Sequence, residues 1–308
     1  MSVKVQKISE SLVLGEGPHW DEVQQALFFV DILDCSLHRY VPASEAWTKA
    51  KVDGGRVGFV VPFDGTKNQF IVGVEKTFKI VEWDGKEPMT KDVKILGSVD
   101  QDTDAATRIN DGKADPRGRI FAGTMSQDNP PGVIAERQGS FYRLDNNGQI
   151  KKLCGGIGIS NGLAWDLQEK AMYYTDSVEH KIRRYDYDVV SGEISNMKYI
   201  FDFKKAGVEG TPDGTTIDAD GNLWIAVFNG SCVIKVDPRT ETLLQKVSIP
   251  ALQVTSVIFG GPNYDVLFVT SANIKVEGKQ QPTTAGCTFM VTGLGVKGLP
   301  GFNFVLKE

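Results

Sequence analysis

The stretch RINDGKADPRGRIFAGTM (108–125) decides the fold. It runs from a polar strand start through a turn rich in Asp, Pro and Gly into a short apolar strand, IFAGT (120–124). Five other stretches repeat that strand: LFFVD (27–31), QFIVG (69–73), MYYTD (172–176), LWIAV (223–227) and LFVTS (267–271). Anchored on Phe28, Phe70, Phe121, Tyr173, Trp224 and Phe268, the copies are separated by 42, 51, 52, 51 and 44 residues. A further alternating strand ending in Asp or Gly follows, as in FKIVEWDG (78–85), SFYRLDNNG (140–148), KIRRYDYD (181–188) and CVIKVDP (232–238). These runs are rich in β-branched and aromatic residues, as half-buried antiparallel strands are. A four-stranded propeller blade takes about 40–50 residues, so six copies use nearly the whole chain. The predicted fold is all-β, a six-bladed β-propeller with an axial metal site, in one domain spanning residues 1–308.

No window of a dozen residues keeps a helical apolar period without Gly or Pro breaking it. VKVQKI (3–8) precedes the first full blade and FNFVL (302–306) follows the last. Both read as strands, and one of them is expected to complete a blade begun at the other terminus, which hides an edge.

Composition excludes several classes. A net charge of −5 and a pI near 5.4 argue against nucleic acid or an anionic membrane as partner. No run approaches the ~20 apolar residues of a membrane-spanning helix. The first residues, MSVKVQKISESLVLGEG, lack the continuous apolar region of a secretion signal. Cys35, Cys154, Cys232 and Cys287 lie far apart without CxxC spacing, which reads as reduced thiols of a cytoplasmic protein. The expected partner is a small-molecule substrate bound by a monomer.

Equivalent positions of successive repeats meet at the axis of a toroid. Glu16, Asn110, Asn161 and Asp213 each lie 11 to 13 residues ahead of the strand aromatics. Two carboxylates and two carboxamides at one point make a site for a hard cation. Asn-Gly and Asp-Gly are also ordinary turn dipeptides. That reading explains neither Glu16 nor the shared register. Blades two and six offer Gly58 or Phe59, and Thr255 or Ser256, at the same offset, to shape the pocket. Strand alternation places Arg108 on the face of Asn110, so a fixed cation also points into the channel. Asp128, in a loop stiffened by two prolines, MSQDNPPG (125–132), projects over the pocket as a hydrogen-bond acceptor, unless it is simply a solvated loop residue.

Three motifs are set aside. GISNG (158–162) resembles a nucleophile elbow, but a strand rather than a helix follows it, so Ser160 is structural. His19, His38 and His180 have no evident role. DQDTD (100–104) lacks the Gly and the flanking helices of an EF-hand. Residues 99–107 read as a polar loop at the channel mouth, poised as a lid.

GEGPHWD (15–21), NDGKADPRGR (110–119), ISNGLAWD (159–166), PDGTTID (212–218), FGGPN (259–263) and VTGLGVKG (291–298) together resemble the senescence marker protein / gluconolactonase / luciferin-regenerating enzyme family. The likeness runs nearly the whole chain and is strongest to its regucalcin-like and insect luciferin-regenerating members. It implies a six-bladed propeller with one divalent ion, calcium or zinc, on the axis; magnesium and manganese also suit an all-oxygen donor set. It carries the metal ligands onto Glu16, Asn161 and Asp213, and substrate binding onto Arg108 and Asn110. Asp128 stands where regucalcins commonly have Glu, a departure shared with the insect branch.

The implied activity is metal-dependent lactone hydrolysis with Asp213 as general base. Action on oxyluciferin-type heterocycles, or non-catalytic calcium binding, are the alternatives.

Overall fold

The computed structural model describes residues 2–127, 135–275 and 281–307. Among them 24 strands, β1–β24 in chain order, form six four-stranded sheets arranged as the blades of a propeller. The innermost strands are β2 (Gly15–Asp21), β6 (Val57–Pro62), β10 (Thr107–Ala114), β14 (Ser160–Asp166), β18 (Thr211–Ile217) and β22 (Gln253–Gly260). The repeated aromatic strands are the second of each blade, for example β3 (Ala26–Asp31) and β19 (Leu223–Phe228). Each blade packs a neighbour on both faces. Its second strand is therefore buried but for an end residue in some blades, which is why these segments read as apolar runs rather than alternating ones.

Among the described residues the core divides into six apolar clusters, one at each junction between adjacent blades. The repeat aromatics bridge these junctions, with ring centroids 4.7 Å apart for Phe28 and Phe70 and 5.6 Å apart for Phe121 and Trp165. Helix is confined to one 3₁₀ turn, Ser177–Glu179, among the described residues. No helix there is long and apolar enough to cross a membrane.

The ring is closed by the N-terminus. Strand β1 (Lys4–Lys7) pairs with β24 (Phe289–Thr292), Lys4 opposite Thr292 and Lys7 opposite Phe289, as the outermost strand of the sixth blade. With that edge taken, FNFVL (302–306) is not a strand, contrary to expectation. It crosses the far end of the central channel with a single bridge between Phe304 and Phe63, whose rings lie 5.5 Å apart. The Phe304 N–H donates to the carbonyl of Pro62 and the Val305 N–H to that of Gly118, both at 2.9 Å.

The polar loop at 99–107 is pinned at its base. Asp100 is buried, and its carboxylate accepts from Thr107 Oγ1 (2.6 Å), Thr124 Oγ1 (2.7 Å) and Tyr142 OH (2.6 Å). These bonds hold its carboxyl below the usual range against the opposing effect of burial.

Candidate active site at the bulged end of the channel

All six innermost strands lose pairing register near their starts. The shifts fall between Glu16 and His19, Val57 and Val60, Ile109 and Asp111, Asn161 and Leu163, Pro212 and Thr215, and Val254 and Ser256. A bulge inserts a residue, re-aims side chains and reverses the phase of alternation beyond it. The glycines after Asn161 and Asp213 have a matching reason to be there. A Cβ on Gly162 would lie 2.5 Å from the carbonyl oxygen of Asp213, and one on Gly214 would lie 2.6 Å from Cα of Ser256. The Asn-Gly and Asp-Gly pairs are close approaches between neighbouring innermost strands at the axis, not hairpin turns.

The bulges gather the expected residues. Glu16, Arg108, Asn110, Asn161 and Asp213 are all buried. The carboxyls of Glu16 and Asp213 come close enough to act on each other, although the residues are 197 positions apart in the chain. Both carboxyls are pushed up, chiefly by burial; Asp213 is then raised further by the negative charges of Glu16 and Asp111. Oδ1 of Asp213 is buried without a hydrogen-bond partner. Asn110 bridges two neighbours: its Oδ1 accepts from Arg108 Nη1 at 2.7 Å, and its Nδ2 donates to the carbonyl of Ser160 (2.8 Å) and to Asn161 Oδ1 (3.1 Å). Arg108 also donates to Met125 Sδ at 3.2 Å.

Two residues beyond those expected join the site. With β10 bulged at Asn110, Asp111 and Lys113 turn to the channel, whereas the intervening Gly112 faces Phe59 and Ala122 in the core between blades. Asp111 raises the carboxyls of Glu16 and Asp213, and its own carboxyl is raised by burial. Lys113 reaches along the channel to the carbonyl of Thr215 at 2.7 Å, and burial pulls its ammonium down to about 8 against the charges of Asp111 and Glu16. Strict alternation from Asn110 points both away from the axis. The signal that finds them is the glycine after Asp111, if it is read as a bulge.

The remaining expected positions divide. Phe59 is wholly buried between blades, which leaves Gly58 against the backbone of Asn110. Thr255 Oγ1 donates to the carbonyl of Gly15 at 2.5 Å, so it joins the sixth blade to the first. Ser160 is structural, its hydroxyl accepting from Tyr174 OH at 2.8 Å. Asp128 lies outside the described residues. Among those described, no three His, Cys, Asp or Glu side chains are grouped to hold an ion. Any metal here would depend on mixed carboxylate and carboxamide donors.

Known proteins agree with this architecture. Residues 14–273 match the SMP-30/Gluconolactonase/LRE-like region. The chain is 36% identical to regucalcin of Danio rerio over 98% of its length and 99% of that protein, and 36% identical to regucalcin of Homo sapiens over the same shares. A solved luciferin-regenerating enzyme is 41% identical, with a TM-score of 0.93 covering 99% of this chain and 100% of that one. The chain belongs to the SMP-30/gluconolactonase/LRE-like family.

Proposed function

We propose that this protein is a divalent-metal-dependent hydrolase of small lactones, working at the bulged end of the channel. The observation that carries the reading is the buried, interacting pair Glu16 and Asp213, with Asp213 Oδ1 left without a hydrogen-bond partner. Two buried carboxylates in contact repel when ionised, and a divalent cation between them offsets that charge. Glu16, Asn161 and Asp213 would hold the ion. All three offer oxygen, which suits calcium, magnesium or manganese and also admits zinc.

When bound, the ion would polarise the ring-ester carbonyl and lower the pKa of water. Asp213 takes the proton from the attacking water and returns it to the ring oxygen as the acyl carbon–oxygen bond breaks, which yields the hydroxy acid. Arg108 offsets the charge that develops on the carbonyl oxygen, and Asn110 fixes the orientation of Arg108. The likeness to a luciferin-regenerating enzyme favours, as a second reading, a heterocyclic substrate in place of a sugar lactone. The names of the regucalcin relatives leave calcium binding without turnover as the rival. Four cysteines with no disulfide between them suit the reducing cytoplasm.

Thermal melts in EDTA, calcium, magnesium, zinc and manganese, paired with a lactone panel, test the reading. An ion that binds only the native state adds about 2.7 kcal/mol at a hundredfold excess over Kd, a rise of several degrees in a chain of this size. Glu16→Gln should remove most of that rise. A melt that no divalent ion shifts, or a shift that survives in the Glu16 variant, overturns the metal site. Metal binding without hydrolysis of any lactone or heterocycle overturns the enzyme.

A further inference from the structure

Ser177 opens the 3₁₀ turn where the second strand of the fourth blade ends, and it is buried. Its hydroxyl donates to the carbonyl of Pro212 at 2.7 Å and accepts from Asn161 Nδ2 at 2.8 Å. A proline carbonyl can only accept, so the direction of the first bond is set. The one hydroxyl proton is thereby committed, and only lone pairs remain to face Asn161. That decides which end of the Asn161 amide turns toward Ser177. The NH₂ does, and Oδ1 is left at the axis, where Asn110 Nδ2 donates to it at 3.1 Å.

The reversed amide fits neither neighbour. Its oxygen would meet the lone pairs of Ser177, and its NH₂ would meet the NH₂ of Asn110. The other bond of Ser177 ends on the peptide just before Asp213, inside the β18 bulge. One hydroxyl thus links the carboxamide of the fourth blade to the backbone that carries the carboxylate of the fifth.

We propose that Ser177 is a positioning residue for a divalent ion: its hydroxyl aims the Asn161 oxygen at the axis and sets its distance from Asp213. The inference rests on the reading that Glu16, Asn161 and Asp213 hold the ion. It goes beyond that reading in assigning metal affinity to a residue that donates nothing to the metal. Groups that orient metal ligands typically contribute ten- to hundredfold in affinity.

The test is calorimetric titration of calcium, and separately manganese, into EDTA-stripped protein. Ser177→Ala should weaken binding about ten- to hundredfold, with the melting temperature in EDTA kept within a few degrees of the parent. Ser177→Thr, which keeps the hydroxyl, should recover most of the loss. Should the alanine variant fail to fold, Ser177→Cys, a weak donor of similar size, should show a loss of the same sign. Unchanged affinity in the alanine or cysteine variant, or a lower EDTA melt with unchanged affinity, overturns the proposal. If Glu16→Gln abolishes binding while Ser177→Ala does not alter it, the metal site stands and only the positioning role fails. If the parent binds no divalent ion, both fail.

Discussion

The same six innermost strands end in two different ways. At their starts each is bulged, and four of them bring Glu16, Asn110, Asn161 and Asp213 together there. At their ends the pairing is regular, and the chain segment from Lys297 to Val305 lies across them. There Ala219 N–H donates to the carbonyl of Lys297, and Phe304 N–H to that of Pro62. Between this tail and Lys113, Trp165, Thr216 and Ile258 only a cavity of about 40 Å³ remains. Regular strands leave a narrow hole that one segment of chain can stop; bulged strands leave a cup lined with side chains. Backbone phase, not a difference in overall composition, gathers the ionisable side chains Glu16, Asp111 and Asp213 at one end.

The comparison can be broken at either end, and the effects should differ in kind. The largest is expected at the cup. Asp213→Asn keeps shape but removes the base, and turnover should fall ~10²–10⁴-fold while the EDTA melt is retained. Near-parental kcat with metal saturating would show that the proton goes elsewhere. Next is the stopper. Phe304 is fully buried, so Phe304→Ala should cost about 3–5 kcal/mol in denaturant unfolding and leave kcat of the folded fraction alone. A loss of kcat instead would mean that the two ends are coupled.

Arg108→Ala should lower kcat/KM by about ten- to a hundredfold, the value of a hydrogen bond to a charged group. Ion affinity measured by calorimetry should hold or rise, because a nearby positive charge is gone. A large loss of ion affinity would make Arg108 a structural member of the site.

The smallest effect concerns acid. His19 lies against Gly301 of the tail, and burial depresses its pKa to about 4 from 6.5. The unfolded chain therefore takes up this proton first. Stability is whole above pH 6.5 and declines as pH falls toward 4, by about 2 kcal/mol at pH 5. His38, depressed to about 4 in the first blade, adds a decline of the same sign. His19→Gln should flatten the drop in melting temperature between pH 7 and 5 without removing it. An unchanged acid profile would place the sensitivity elsewhere.

The blades were legible because burial on both faces writes an apolar strand at a fixed spacing, and six such strands outweigh any local ambiguity. The cup was legible where a donor is followed by glycine, at Asn161 and Asp213, since close approach at the axis demands that pair. Asp111 and Lys113 were hidden by the bulge at Asn110, which inverts the alternation used to orient them. The tail misled for a related reason. FNFVL has a strand's alternation, but a strand also needs a free edge, and β1 occupies the only one the sixth blade leaves. Which terminus wins that edge is a matter of pairing, invisible to pattern.

That closure has a kinetic consequence. Lys4 must find Thr292, so β1, which precedes the rest of the ring in the chain, can pair only once β24 has been made. Contacts so far apart in sequence are slow to form, because loop-closure entropy must be overcome before they give any return. Until then β24 presents an unpaired edge, the kind of surface on which partly folded β-proteins associate with one another. Four residues near the N-terminus are thus the latch of the ring, and shortening or burying them in a fusion should show first as slow refolding and aggregation, with the chemistry of the cup intact in whatever fraction closes.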